Sequence, residues 1–576
     1  MEDMTDKAIG WIQQQKALAP DKPFFCYFAP GATHAPHHVP REWADKYKGK
    51  FDAGWDALRE ETFARQKALG VIPADAELTA RPADVPGWDD MPEAFKPVLR
   101  RQMEVYAGFL EFTDHHVGRL YEAIEKLGIA DDTLVYYIIG DNGASAEGSI
   151  NGCFNEMSYF NGLQALETAE YLTERIDKLG GPESYNHFAV GWAHALNTPY
   201  QWTKQVASHF GGTRNGTVVH WPKGIQAKGE LRTQFAHVID VAPTILAAAG
   251  IPEPVSVDGI QQDPIDGVSM LPTFNDAKAP EVRETQYFEV MGNRAIYHKG
   301  WTAVTKHYTP WKPDVKPALD DDVWELYDTT RDWAQARDLS KELPDKLREL
   351  QRLWIIEATR NKVLPLDDRL FEKINPDTAG RPVLIKGKTQ LLAGGMSHLS
   401  ENCVLNLKNK SHSVTAQIVV PQGGAEGVII AQGADIGGWS LYAKGGKLKY
   451  CYNWGGFKHF MIEGASVMSP GEHQVRMEFA YAGGGLGKGG KVTLYVDGRK
   501  DGEGEVGATL AMIFSADDGL DVGKDGGSAV SPDYKPANNA FNGKVKGVQL
   551  AIDEAAEDLD HLLDPADVIR MAMARQ

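Results

Sequence analysis

Three short segments of this chain carry side chains able to do chemistry together. In Ile138-Ile-Gly-Asp-Asn-Gly143, directly after an apolar run, Asp141 and Asn142 offer the hard oxygen donors that suit a calcium or magnesium ion. Asp-Asn-Gly is equally good chemistry for an ordinary turn. In Gly31-Ala-Thr-His-Ala-Pro-His-His38, His34 could give up a proton or hydrogen-bond an anionic oxygen, and a surface loop is the competing reading. The exit from the preceding apolar segment directs His34, more than His37 or His38, at a site. In Thr203-Lys-Gln-Val-Ala-Ser-His-Phe-Gly-Gly-Thr-Arg214, the cations Lys204, His209 and Arg214 around a Gly-Gly pair suit either an oxyanion pocket or a basic surface loop. Asp114-His115-His116 falls within an amphipathic helical pattern, where structural roles dominate.

These segments must be positioned by the elements around them. Up to about Leu246 the pattern alternates helix with short apolar strand. Thr5 predicts an N-cap for a helix from about Asp6 to Ala17, and Lys22–Ala29 reads as a buried strand. A long polar stretch, about Pro40 to Pro97, reads as a surface excursion. A strong helix then runs over Val98–Leu127, with strands at Thr133–Ile139 and Gly216–Trp221 on either side of a second excursion, Ala144 to Thr198. A helix follows at Val241–Ala249. Continuous apolar strands separated by helices predict a parallel sheet covered on both faces. Val323–Asp328 and a helix at Leu343–Arg360 predict a smaller α+β unit. From about Pro382 glycine becomes frequent and short alternating runs recur, among them Val414–Val420, Lys447–Tyr452 and Lys491–Val496, which predict an antiparallel β-sandwich. The expected domains are therefore 1–275, 276–380, 381–555 and a closing helix or tail at 556–576.

The chain has 576 residues, 43% of them hydrophobic, enough for at least one large core. A net charge of -19, from 60 basic and 79 acidic residues, argues against nucleic acid or an anionic membrane as partner. The four cysteines form no C-x-x-C pair and read as reduced thiols. No apolar run is long enough to span a bilayer and no export signal opens the chain, so a cytoplasmic location is expected.

The order of the motifs resembles the sulfatase family of the alkaline-phosphatase superfamily, most of all its long bacterial arylsulfatases. The likeness rests on His34-x-Pro36, Tyr106-Ala-Gly108, Asp114-x-x-Val-Gly118, Gly140-Asp-Asn-Gly143, Lys204 with Gly211-Gly-x-Arg214, Trp221-Pro222, Phe235-x-His-Val-Ile-Asp240, Asp266–Pro272 and Glu325-Leu-Tyr-Asp328. It implies an α/β fold with an alkaline-phosphatase-like doubly wound sheet and hydrolysis of sulfuric esters. It also implies that Asp141 and Asn142 ligate calcium (magnesium in some relatives), that His34 contacts the sulfate and leaving-group oxygen, and that Lys204 binds the sulfate.

The family's Cys-x-Pro-x-Arg motif, source of its formylglycine nucleophile, occurs nowhere in the 576 residues, nor do its early paired aspartates. The expectation is an N-terminally truncated sulfatase domain with no nucleophile of its own and a weakly held metal. Such a fragment needs self-association or a complementing chain. A non-catalytic scaffold and a hydrolase of other small-molecule esters are the competing functions. The C-terminal unit resembles laminin-G/concanavalin-like sandwiches, on Leu494-Tyr-Val-Asp-Gly498, which implies either a structural module or one that binds carbohydrate.

Overall fold

The computed structural model describes residues 1–313 and 315–553, and the expected closing helix lies outside them. The chain divides into two units, one of residues 1–153 and 186–368, the other of 154–185 and 369–576.

In the first unit the dominant element is the helix Lys96–Lys126. Pro97 sits in its first turn, where a missing N–H is harmless, and its apolar stripe of Leu99, Met103 and Phe109 is buried. Gly108 on this helix admits the neighbouring helix Arg41–Asp45: a Cβ there would lie 2.6 Å from the Ala44 backbone nitrogen. The two predicted strands are present as Val135–Ile138 and Thr217–His220, paired antiparallel with Val135 opposite His220 and Ile138 opposite Thr217. A four-stranded antiparallel meander, Thr285–Val290, Asn293–His298, Trp301–Thr305 and Glu325–Asp328, packs against the helix Pro344–Arg360 around Ile296, Leu326, Leu350 and Trp354.

Three local expectations fail. The opening helix begins at Glu2, and Thr5 is buried inside it rather than capping it, because Glu2 and Asp3 already place acidic charge at its N-terminus. Lys22–Ala29 forms no strand, and Phe25 and Tyr27 are exposed at 66% and 82%. An apolar run becomes a strand only where a neighbouring strand can pair with it. Finally, the polar stretch from Pro40 is no excursion. It contains the helix Gly54–Ala68 and contributes Trp55, Val85, Trp88 and Met91 to the core around Trp192.

The second unit is the predicted β-sandwich. Its six-stranded sheet runs in the order 499–508, 488–496, 471–481, 412–420, 544–552, 389–393, and its five-stranded sheet in the order 458–467, 447–454, 437–444, 427–434, 520–522. All named pairings within these sheets are antiparallel, and alternate residues such as Val414, Ile418, Leu441, Tyr450, Met477 and Leu494 fill the core between them. Residues 154–185 belong to this unit: Asn155 donates through Nδ2 to the carbonyls of Ile436 and Gly455. The mixture of helix and strand followed by a strand-rich region is the α/β-plus-sandwich class that the sequence predicts, but the expected parallel, doubly wound sheet is not formed. Among the described residues Val135–Ile138 finds only the antiparallel Thr217–His220 to pair with, and Lys22–Ala29 supplies no strand. All four cysteines are free.

Candidate functional site

The site assembles by stitching loops of the first unit together. At the end of the strand Val135–Ile138, Gly143 donates its backbone N–H to the Gly212 carbonyl at 3.0 Å. The approach tolerates only glycine, since a Cβ on residue 143 would sit 1.7 Å from the Gly211 oxygen. The Asn197 side chain accepts from the Ala144 N–H at 2.9 Å, and the Lys204 N–H donates to the Ala144 carbonyl at 3.0 Å. The Gly-Asp-Asn-Gly turn and the lysine loop are therefore one structure, and Lys204 is held at the backbone.

Its ammonium Nζ lies 2.9 Å from His34 Nε2 and 2.9 Å from Glu147 Oε2. His34 Nδ1 is 2.9 Å from the Ala35 carbonyl, which can only accept. Nδ1 therefore carries the ring proton, and Nε2 accepts from the lysine. The His34 loop rests on the long helix: the Thr33 hydroxyl meets the Tyr106 hydroxyl at 3.3 Å, and His37 packs against Tyr106, Phe188 and His187 at 4.9–5.0 Å. His37 is thus part of the support, while the His34 side chain remains 57% exposed.

Glu147, which the motif reading missed, is buried. Its Oε2 also accepts from Ser145 Oγ at 2.7 Å, and Oε1 accepts from Gln205 Nε2 at 2.7 Å. Burial alone would raise this carboxyl, but the Lys204 ammonium, with smaller help from the Ser145 hydroxyl, holds it below the usual range. A glutamate five residues past Asn142 gives no signal in a single sequence. Behind it, burial pushes the His187 imidazole down to about 4, so this ring is neutral near pH 7.

The other predicted groups separate from this triad. His209 is fully buried, with Nδ1 on the Ser208 hydroxyl and Nε2 3.0 Å from Glu325 Oε2. Arg214 stacks on Trp333 at 3.8 Å and donates to that residue's carbonyl. The expected three-cation pocket thus reduces to Lys204, because the flanking aromatic and acidic residues capture the other two. Within Asp114-His115-His116, Asp114 accepts from the Tyr137 hydroxyl and His116 contacts Arg119, both structural roles.

Asp141 is exposed and Asn142 half-buried, with Asn142 Nδ2 turned onto Asp141 Oδ1 at 2.8 Å. No group of three or more His, Cys, Asp or Glu side chains arranged for a metal exists among the described residues. A hard cation takes six to eight oxygens, so this pair alone does not complete its site.

Residues 1–251 match the family described as Sulfatase, and residues 204–352 the one described as N-sulphoglucosamine sulphohydrolase, C-terminal. Over these residues the chain is similar to the sulfatase family. It is similar to a protein of Schizosaccharomyces pombe described as an uncharacterized sulfatase, 30% identical over 370 residues, 63% of each chain. It is also similar to an arylsulfatase of Klebsiella aerogenes, 28% identical over 261 residues, 45% of this chain and 53% of that one. The chain thus spans between half and two thirds of the length of these relatives. Among solved structures, Ps i-CgsB in complex with k-i-k-neocarrahexaose matches at 19% identity and a TM-score of 0.39, over 66% of this chain and 59% of that one. Among the described residues no helix is long and apolar enough to cross a membrane.

Proposed function

We propose that this chain carries the sulfate-facing part of a sulfuric-ester hydrolase, with Lys204 binding the anionic oxygens and His34 meeting the ester or leaving-group oxygen. The observation that carries this reading is the 2.9 Å contact between His34 Nε2 and Lys204 Nζ, two motif residues 170 positions apart. The Lys204 ammonium can compensate the charge that develops on a departing alkoxide or phenoxide oxygen, and His34, when it is protonated at Nε2 as well as Nδ1, can pass that oxygen a proton.

In this proposal Asp141 and Asn142 are part of the ligand set of a hard cation, calcium or magnesium, and the remaining ligands and the nucleophile come from residues outside these 576. Support for a covering segment, from a complementing polypeptide or a second copy, comes from the apolar surface of the first unit. Phe25, Tyr27, Ile139 and Val218 are 53–82% exposed there. The β-sandwich is proposed as an accessory module rather than a catalytic one.

The test is hydrolysis of 4-nitrophenyl sulfate by the chain supplemented with a polypeptide bearing a formylglycine-forming Cys-x-Pro-x-Arg segment. Turnover abolished by His34→Ala and strongly reduced by Lys204→Ala is expected. Turnover that survives both substitutions would remove this site from the reaction.

A further inference from the structure

Lys204 is the cation that the proposed reaction uses, yet the structure does not leave its charge free. Its ammonium is shared between His34 Nε2 and the carboxylate of Glu147, each at 2.9 Å. The Glu147 side chain is 9% exposed and the Lys204 side chain 19%, so the attraction between them is only partly screened by solvent. The carboxylate is held in place by two further donors, Ser145 Oγ on Oε2, the oxygen that also meets Lys204, and Gln205 Nε2 on Oε1, at 2.7 Å each. His187, the next titratable group behind it, is neutral and supplies no second countercharge. The pair is therefore close to neutral as a unit, and an arriving anion meets an oriented N–H donor rather than a full positive charge.

Resting on the sulfate-facing reading of this site, we propose that Glu147 is a positioning residue that fixes the Lys204 ammonium against His34 and weakens its attraction for free inorganic sulfate. The lysine has three N–H donors, two of them engaged by Glu147 and His34, which leaves one for a ligand oxygen. A sulfate ester held by further contacts to its organic group can use that donor. Inorganic sulfate, which lacks those contacts, is held poorly and leaves. Glu147 thus separates ester binding from product binding through charge rather than shape.

The experiment is calorimetric titration of the whole chain with inorganic sulfate at constant ionic strength, comparing the parent, Glu147→Gln, Glu147→Asp and Lys204→Met. Glutamine keeps the size and an acceptor oxygen but removes the negative charge. Glu147→Gln is expected to bind sulfate about tenfold more tightly than the parent, the order of effect of removing one partly buried charge near the ligand. Glu147→Asp keeps the charge on a shorter stem and should fall between the two, which protects the test if the glutamine variant does not fold. Lys204→Met should bind no sulfate. In the supplemented enzyme, Glu147→Gln should strengthen product inhibition by sulfate and lower KM, with kcat falling.

A purely structural role predicts instead a lower melting temperature with sulfate affinity unchanged or reduced. That result, with parent binding still abolished by Lys204→Met, overturns the role of Glu147 and leaves the sulfate-facing reading intact. Sulfate binding that is absent from the parent and both Glu147 variants overturns both.

Discussion

Asp240 and Arg283 form a buried, forked ion pair, with the Arg283 Nε 2.9 and 3.0 Å from the two carboxylate oxygens. The same carboxylate accepts the backbone N–H groups of His237 and Val268 at 2.8 Å each. Asp240 closes the motif Phe235-x-His-Val-Ile-Asp, so this family motif is an architectural joint. It ties the start of the helix Val241–Ala249 to the segment leading into the meander. Burial works against the charged form, but the Arg283 contact and the two backbone N–H groups hold the Asp240 carboxyl below its ordinary range.

Removing one partner of such a pair leaves an uncompensated buried charge, which costs about 3–5 kcal/mol. Asp240→Asn should destabilise the first unit by that order, whereas the double substitution Asp240→Asn, Arg283→Met should recover a large part of the loss. Urea denaturation of the parent and the two variants checks this, and a double variant no more stable than Asp240→Asn would show that the pair is not the source of the loss.

Legibility followed the strength of local signals. The helix Lys96–Lys126 and most sandwich strands could be read from periodicity, because burial on one face writes a period into the sequence. The core of the first unit could not. Trp55, Trp88 and Trp192 pack against one another at 4.9–5.7 Å, Trp55 edge to face with both others, but Trp55 and Trp88 lie in a polar stretch without period, and Trp192 lies in the second supposed excursion. Their indole N–H groups find backbone carbonyls, those of Pro86 for Trp55 and Leu99 for Trp192, and such pairings depend on the tertiary fold. In the site, His34 and Lys204 could be read because motif order carries them. Glu147 emerged only once the lysine loop was seen to bond Ala144, and His209 and Arg214 misled because a cation's partner is not written beside it.

The two units should respond differently to acid. In the first, burial pushes His187 down to about 4 and His37 and His194 well below their ordinary value. A base whose pKa falls on folding is protonated first in the unfolded chain. Stability is thus fully present above about pH 6.5 and drains as pH drops toward 4, by on the order of 3 kcal/mol for His187. In the second unit His412, pushed by burial to about 4, acts the same way. There, however, burial raises Glu167 to about 7 and Asp525 to about 6. Carboxyls raised on folding stabilise at low pH and lose that contribution as pH rises through 6–7, so on acidification they offset His412. From pH 7 to pH 5 the first unit should therefore lose more stability than the second. Pulse proteolysis in urea with mass-spectrometric assignment of the cleaved segments reads this directly, and equal losses in the two units would contradict it.

Gly143 links stability to the site more directly than any charged residue. The absence of a Cβ lets the Gly-Asp-Asn-Gly turn reach the Gly211-Gly212 backbone, and that contact sets Ala144 to receive the Lys204 N–H. Gly143→Ala introduces a methyl 1.7 Å from the Gly211 oxygen, closer than any real contact, so the two loops must part. Loop separation moves the Lys204 backbone and breaks the alignment of its ammonium with His34 and Glu147. Displacement of a binding group by about 1 Å is enough to reduce turnover on the order of a hundredfold. In the supplemented enzyme, Gly143→Ala should lose activity by about that factor, together with the sulfate binding that depends on Lys204. Gly118→Ala, in the long helix where an added Cβ meets nothing within 4 Å, should leave both unchanged. Kinetics on 4-nitrophenyl sulfate and sulfate titration of these two variants separate the joint from a general effect of adding a methyl group. Equal behaviour of the two would mean that the approach of residue 143 to the lysine loop does not govern the site.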